Sequence, residues 1–239
     1  MNDAIAVPVV EVSGARKHYG GLRPLRVQHL LVRTGERVAL AGFDATSAEI
    51  LVNLVTGATL PDEGEVRVFG RSTADVRDER EWLARLDRIG IVSARAVLLG
   101  ASTVLQNLAM PFTLSIDPVP DDIAAKAARL AEEAGIAARR LGEPLSAAPP
   151  DVVIRVHLAR AIATDPAVLL IEHPTAMLPD DAAPAFAADL VRVAEGRRLA
   201  VIAMTEDARF AGALGGRSLK LQAATGALAE IGGWRRWLR

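Results

Sequence analysis

Four short apolar runs, Arg37–Ala41, Arg88–Val92, Val168–Ile171 and Leu199–Met204, alternate along the chain with segments whose apolar residues recur at helical spacing. Near-continuous runs of this length are the pattern of strands buried on both faces. Such strands need a covering layer on each side, and helices in the crossovers of a parallel sheet supply it. The pattern therefore predicts an α/β fold with a mainly parallel sheet. Its clearest unit is the first. Arg37–Ala41 ends at Gly42, and Ser47–Val55 follows with Ile50, Leu51, Leu54 and Val55 at helical spacing, closed by Gly57.

The other segments fill in around that unit. Val9–Val12 and Leu25–Val32 read as strands, and Gly64–Gly70 as a further strand bounded by glycines. Between Leu98 and Pro150 the pattern becomes helical, with Thr103–Met110 and Asp121–Ala134 as the clearest pieces. Pro144, Pro149 and Pro150 break the chain before a helix over Val152–Thr164. A helix over Ala183–Ala194 and a hairpin of Ser218–Leu221 with Ala227–Ile231 complete the reading. Together these predict one domain over residues 1–239. Residues 1–95 and 151–239 form an α/β core with an antiparallel β subdomain, and 96–150 form an inserted helical subdomain.

Composition narrows the function. With 239 residues, 51% of them hydrophobic, the chain is long and apolar enough to bury a core without staples. The balance of 28 Lys+Arg against 29 Asp+Glu argues against a nucleic-acid partner, which calls for a basic excess. Zero cysteines exclude disulfides, thiolate metal sites and cysteine nucleophiles. No apolar run reaches the roughly 18 to 20 residues that span a bilayer. Met1-Asn2-Asp3 is not the basic start of a signal peptide, so a cytoplasmic location is expected. The lysines are Lys17, Lys126 and Lys220 alone, so chemistry that needs an ammonium between Lys17 and Lys126 is excluded.

Several stretches in order resemble the ATP-binding subunit of ABC transporters. Val12–Gly20 resembles the end of that family's opening strand, with Tyr19 in the place of its adenine-stacking aromatic. Gly35–Gly42 resembles the strand entering the phosphate loop, and Asn53–Gly57 with Pro61–Gly70 resembles the helix end and strand that follow. Leu158–Ala161, Asp165-Pro166 and Pro174-Thr175 resemble the stretch from signature helix to Walker B strand. The resemblance implies a P-loop NTPase-like core and a transmembrane permease as partner. It also implies a homo- or heterodimeric ATP-binding subunit, and a peripheral place on the inner face of the cell membrane.

The residues that carry the family's chemistry are replaced. A phosphate loop of the form G-x-x-x-x-G-K-[ST] holds phosphates with backbone N–H groups and a lysine, and magnesium with a hydroxyl. Here Gly42 is kept and Asp44 lies within the loop. Ser47 stands for the second glycine, Ala48 for the lysine and Glu49 for the hydroxyl residue. Ala94 takes the place of the Q-loop glutamine, and Glu172-His173 that of the Walker B Asp-Glu pair. The D-loop aspartate becomes Pro179 and the switch histidine Glu206. The signature Leu-Ser-Gly-Gly-Gln becomes Leu145-Ser146-Ala147-Ala148-Pro149.

No catalytic residue and no cofactor are therefore expected, and the chain reads as a scaffold or regulatory subunit of a transport complex. The alternative is an atypical ATPase that uses ATP and magnesium, alone or beside an intact partner. Asp44, Glu49, Glu172 and Glu206 are expected around the site without a compensating lysine. A like-charge pair about 5 Å apart repels by roughly 3 kcal/mol at an effective dielectric near 20.

Glu172, His173, Glu206 and Glu49 read as a hydrogen-bonded polar cluster rather than a metal site. The exchange of acid and histidine between positions 173 and 206 predicts a His173–Glu206 hydrogen bond, direct or through one water. His18, His29 and His157 read as surface or satisfied structural residues. Val97–Phe112 is expected to meet the permease. The Trp234–Arg239 tail reads as docked on the protein's own surface, with a membrane or acidic partner as the other possibility.

Overall fold

A computed structural model describes residues 7–21, 23–176, 178–179 and 181–231. The Trp234–Arg239 tail lies outside the described residues. Strands β1 (Pro8–Lys17), β2 (Leu25–Arg33) and β3 (Arg37–Ala41) open the chain, and β3 leads into helix α1 (Ala45–Thr56). β4 (Glu63–Val68), the two-residue β5 (Arg71–Ser72), α2 (Glu79–Leu86) and β6 (Ile89–Val92) follow. The helical stretch holds α3 (Val104–Ala109), α4 (Asp121–Glu133) and α5 (Pro150–Ala161). β7 (Val168–Glu172), α6 (Ala183–Arg197), β8 (Ala200–Met204) and α7 (Ala208–Leu214) return to alternation, and the hairpin β9 (Arg217–Gln222) and β10 (Ala227–Glu230) follows.

Two sheets result. The larger has the order β10-β9-β3-β8-β7-β6, parallel from β9 to β6, with β10 antiparallel at the edge. The smaller is antiparallel, in the order β2-β1-β4-β5. The near-continuous apolar runs are explained by covering layers on both sides of the larger sheet. Leu169, Ile171, Val201 and Ala203 belong to one core with residues of α3, α4, α5 and α6. Val168, Leu170, Ala200 and Ile202 belong to a second core with α1 and the antiparallel sheet. Successive strand residues point to opposite faces, so an apolar residue is required at every position.

The helical stretch has no core of its own. Val104, Leu108, Leu130 and Val156 join the cluster that contains Leu169 and Ile171. Ion pairs fasten the same contact. Arg155 on α5 is buried and donates to Asp189 of α6 at 2.8 Å. Arg197 of α6 donates to Glu133 of α4 from both Nε and Nη2, at 2.5 and 2.6 Å.

Three details depart from the sequence reading. Helix α1 starts at Ala45, ahead of Ser47, because the Asp44 side chain caps its N-terminus. Helix α2 was not expected. None of its residues is buried, so it writes no apolar stripe into the sequence. Helix α7 was also missed. It spans only seven residues, capped by the Asp207 carboxylate on two backbone N–H groups.

Candidate functional site

The parallel register decides where the site lies. Leu40 pairs with Met204, Met204 with Glu172, and Val92 with Ile171, so β3, β8, β7 and β6 end side by side. Ligands in open parallel sheets bind outside these carboxyl ends. Gly42, Glu206, His173 and the Ser93–Arg95 loop are brought together there.

Gly42 begins the loop after β3 with φ +84°, and a Cβ on it would stand 2.8 Å from the Leu221 carbonyl oxygen. Only glycine fits both demands. Its N–H donates to Glu206 Oε1 at 2.5 Å. Asp44 accepts from Ser47 N and Ser47 Oγ, each at 2.7 Å. These Ser47 bonds, with the nearby His173 as a smaller cause, hold the Asp44 carboxyl below its usual pKa. Ala48 N–H donates to the Asp44 carbonyl at 2.9 Å, and the Ala48 side chain is fully buried in the core beside α1. Three amides of this loop and helix start are therefore satisfied from within the chain, two of them by carboxylates.

The cation of the site is Arg95, which sequence reasoning missed. Its Nε donates to Glu172 Oε2 at 3.0 Å and its Nη2 to Oε1 at 2.5 Å. Its Nη1 reaches Glu49 Oε1 on α1 at 2.8 Å. Ser93 Oγ also donates to Glu172 Oε2 at 2.6 Å, and Arg95 N–H donates to Ser93 Oγ at 3.1 Å. Bonding to Glu172, followed by the charges of Glu172 and Glu49, raises the Arg95 pKa above its ordinary value. The expected uncompensated acidic cluster is thus corrected. Glu49 and Glu172 share one guanidinium, and no lysine was required.

The direct form of the expected His173–Glu206 contact is corrected, because no hydrogen bond or ion pair joins the two side chains. Glu206 is spent on the Gly42 amide. His173 has φ +43°, its N–H donates to the Met204 carbonyl at 2.9 Å, and its Nε2 is buried without a partner. A left-handed backbone in a residue with a Cβ turns the side chain away from the direction a regular strand end would give it.

His157 is a third correction. The residue is buried, and no hydrogen bond joins its ring to another of the described residues, although its nitrogens are not among the buried unpartnered atoms. Burial, and secondarily the charge of Arg160, hold its pKa below the usual value. His18 and His29 are exposed as expected. No group of three or more metal-ligating side chains is found among the described residues.

Residues 25–176 match the sequence profile of the family described as ABC transporter. The chain belongs to the ABC transporter family. It is 30% identical over 210 residues to the lipoprotein-releasing system ATP-binding protein LolD of Alcanivorax borkumensis, covering 86% of this chain and 91% of that protein. It is 32% identical over 202 residues to the phosphonates import ATP-binding protein PhnC of Anaeromyxobacter dehalogenans, covering 81% of this chain and 40% of that one. Among solved structures, the ADP- and phosphate-bound dimer of the ATP-binding cassette MJ0796 aligns with a TM-score of 0.74. That alignment has 23% identity and covers 92% of this chain and 96% of the cassette. The cbiO1 subunit from Clostridium perfringens aligns with a TM-score of 0.77 at 18% identity, covering 92% and 86%. These likenesses show the ABC cassette fold.

Set on that ABC frame, the remaining expected residues fall apart from the cluster. Tyr19 lies beyond the end of β1, half-buried, with its ring packed on the core of the antiparallel layer and close over Gly21. Leu145 is buried and Ser146 exposed in a turn just before α5. In that turn Leu145 N–H donates to the Ser102 carbonyl, Ser146 to Gly100, Ala147 to Pro144 and Ala148 to Leu145. Pro149 and Pro150 carry no N–H. No backbone donor from 145 to 150 is left over for an anion. Ala94 is exposed and contacts neither Glu49 nor Glu172 through a polar group.

Of the apolar residues expected to meet a permease, Val104 and Leu108 are fully buried, and Leu98 and Leu105 pack against the same core. Val97 is 75% exposed, and Leu99 is exposed as well.

Proposed function

We propose that this chain is an ABC transport subunit that does not turn over ATP and serves as a scaffold or regulatory partner of a transmembrane permease. The carrying observation is the guanidinium of Arg95 between Glu49 and Glu172. In the resembled cassette the equivalent positions carry a hydroxyl and an aspartate around magnesium. Here two carboxylates hold a cation that belongs to the protein.

The donor set does not fit Mg-ATP. The lysine position is a buried alanine, and the hydroxyl position is an acid already in an ion pair. A polyphosphate would meet Asp44 and Glu206 on the amides it requires. The spent amides of 145–148 weigh equally against the chain completing a nucleotide site on a partner. Calorimetry of the full chain with Mg-ATP should show no saturable heat. A dissociation constant in the micromolar range would overturn the reading.

The relatives belong to a lipoprotein-releasing system and to import systems, so what they share is the transport assembly and not a cargo. Val97 and Leu99, the exposed apolar residues of the Val97–Phe112 stretch, are the ones assigned to the permease. A photo-crosslinker at each of these positions, in cells expressing the whole assembly, should capture a membrane subunit. Capture only from the opposite edge of the larger sheet would refute that assignment.

A further inference from the structure

A cavity of about 300 Å³ opens beside the Arg95 clasp, between α5 and the loop that follows β7. Val153, Ile154, Pro174, Leu178, Ala94 and Ala148 are among the residues that line it. We propose that it binds a small, flat, largely apolar molecule whose single hydroxyl is received by His157.

Size sets the class first. The volume is about twice that of an engineered apolar cavity of ~150 Å³ that stays dry and takes up benzene. It sits at the lower end of the roughly 300–1,000 Å³ range of small-molecule pockets. A bicyclic aromatic or alicyclic body fills it, whereas a helix of a partner protein does not. The aliphatic and proline walls exclude nucleotides and other polyanions.

The polar anchor follows from which groups are already spent. Arg95, Glu172 and Ser93 also line the cavity, but they are bonded to one another. His173 lines it too, yet its Nε2 is closed off inside the protein. His157 is 8% exposed and lines the cavity, and among the described residues no side chain or backbone group bonds its ring, whose nitrogens are not closed off as His173 Nε2 is. A ring nitrogen that no protein group occupies is the one polar anchor along these walls left for a ligand to bond. The neutral imidazole offers one donor and one acceptor, and a hydroxyl can meet either.

The test uses the full chain, with 2-naphthol and its non-hydrogen-bonding counterpart 2-methylnaphthalene as probes, followed by ligand-observed NMR and fluorescence. Wild-type protein should bind both saturably, one per chain. His157→Phe should weaken 2-naphthol five- to tenfold, the scale of one lost hydrogen bond, and leave 2-methylnaphthalene within twofold. His157→Gln should keep 2-naphthol near wild type. Ile154→Trp should fill the space and abolish both, with a cooperative thermal melt confirming the fold. Absence of saturable binding to the wild type, binding that survives Ile154→Trp, or equal responses of the two probes to His157→Phe would each overturn the proposal. None of these outcomes depends on nucleotide, so they leave the ATP reading to its own experiment.

Discussion

Replacing Arg95 with alanine removes one cation from two acids, and the burial of each partner sets the magnitude. Glu172 retains 7% of its side-chain exposure, whereas the Arg95 and Glu49 side chains are 47% and 43% exposed. Removing one member of a buried ion pair costs about 3–5 kcal/mol, because the other charge is left unpaired. Here the half-exposed guanidinium already faces water, and Ser93 still donates to Glu172 after the change. The Glu49 arm is a surface pair worth less than about 1 kcal/mol. The expected loss at pH 7 is therefore about 2–3 kcal/mol, or roughly 5–10 °C in melting temperature for a chain of this size.

The partner substitution gives an asymmetric result. Glu172→Gln should cost about 1 kcal/mol, since Arg95 can hydrate and keeps Glu49. In the Arg95→Ala background the same change should be stabilising, because it removes the buried unpaired charge. Urea unfolding followed by circular dichroism on the four proteins of the cycle yields the coupling energy, expected near 2 kcal/mol. An Arg95→Ala loss under about 0.5 kcal/mol, or a coupling indistinguishable from zero, refutes the view that the clasp organises the site.

Two further outcomes follow from single residues. Asp44→Ala should destabilise the protein by about 1 kcal/mol at neutral pH through loss of the α1 cap. Because the Asp44 pKa is lowered in the fold, that advantage is present above the usual 3.8 and lost as pH falls through the lowered value. Stability curves of wild type and variant should converge in acid, and a constant gap down to pH 2 contradicts the assignment. For His157, the folded pKa lies below the usual 6.5, so the unfolded chain takes up the proton first as pH falls. The wild type should then lose stability relative to His157→Phe between about pH 7 and the lowered folded value, a trend absent if the two denaturation midpoints move in parallel.

The frame of the fold was legible because its signals are local. β3, β6, β7 and β8 are near-continuous apolar runs, and a strand covered on both faces requires that pattern. α2 carried no such signal, since it buries nothing. The site divides along the same line. That Ala48 cannot hold a phosphate and that no lysine lies nearby follows from residue identity alone. That Arg95 closes on Glu172, 77 residues away, depends on β6 and β7 lying in register, and no spacing in the chain announces it. The direct His173–Glu206 bond failed for a related reason. Correct placement at two strand ends does not fix side-chain direction, which a positive φ at one residue and a nearby amide at the other decided.

The sequence by itself thus determined the α/β frame, the family and the absence of the phosphate-binding lysine, because apolar periodicity and residue identity are properties of short stretches. Only the tertiary structure decided what occupies the vacated roles. Asp44 and Glu206 sit on the loop amides and Arg95 lies between the acids, while the His157 ring lines a cavity without a bond to another of the described residues. Those outcomes are set by sheet register and backbone direction, which bring distant charges within about 3 Å and leave others without a partner.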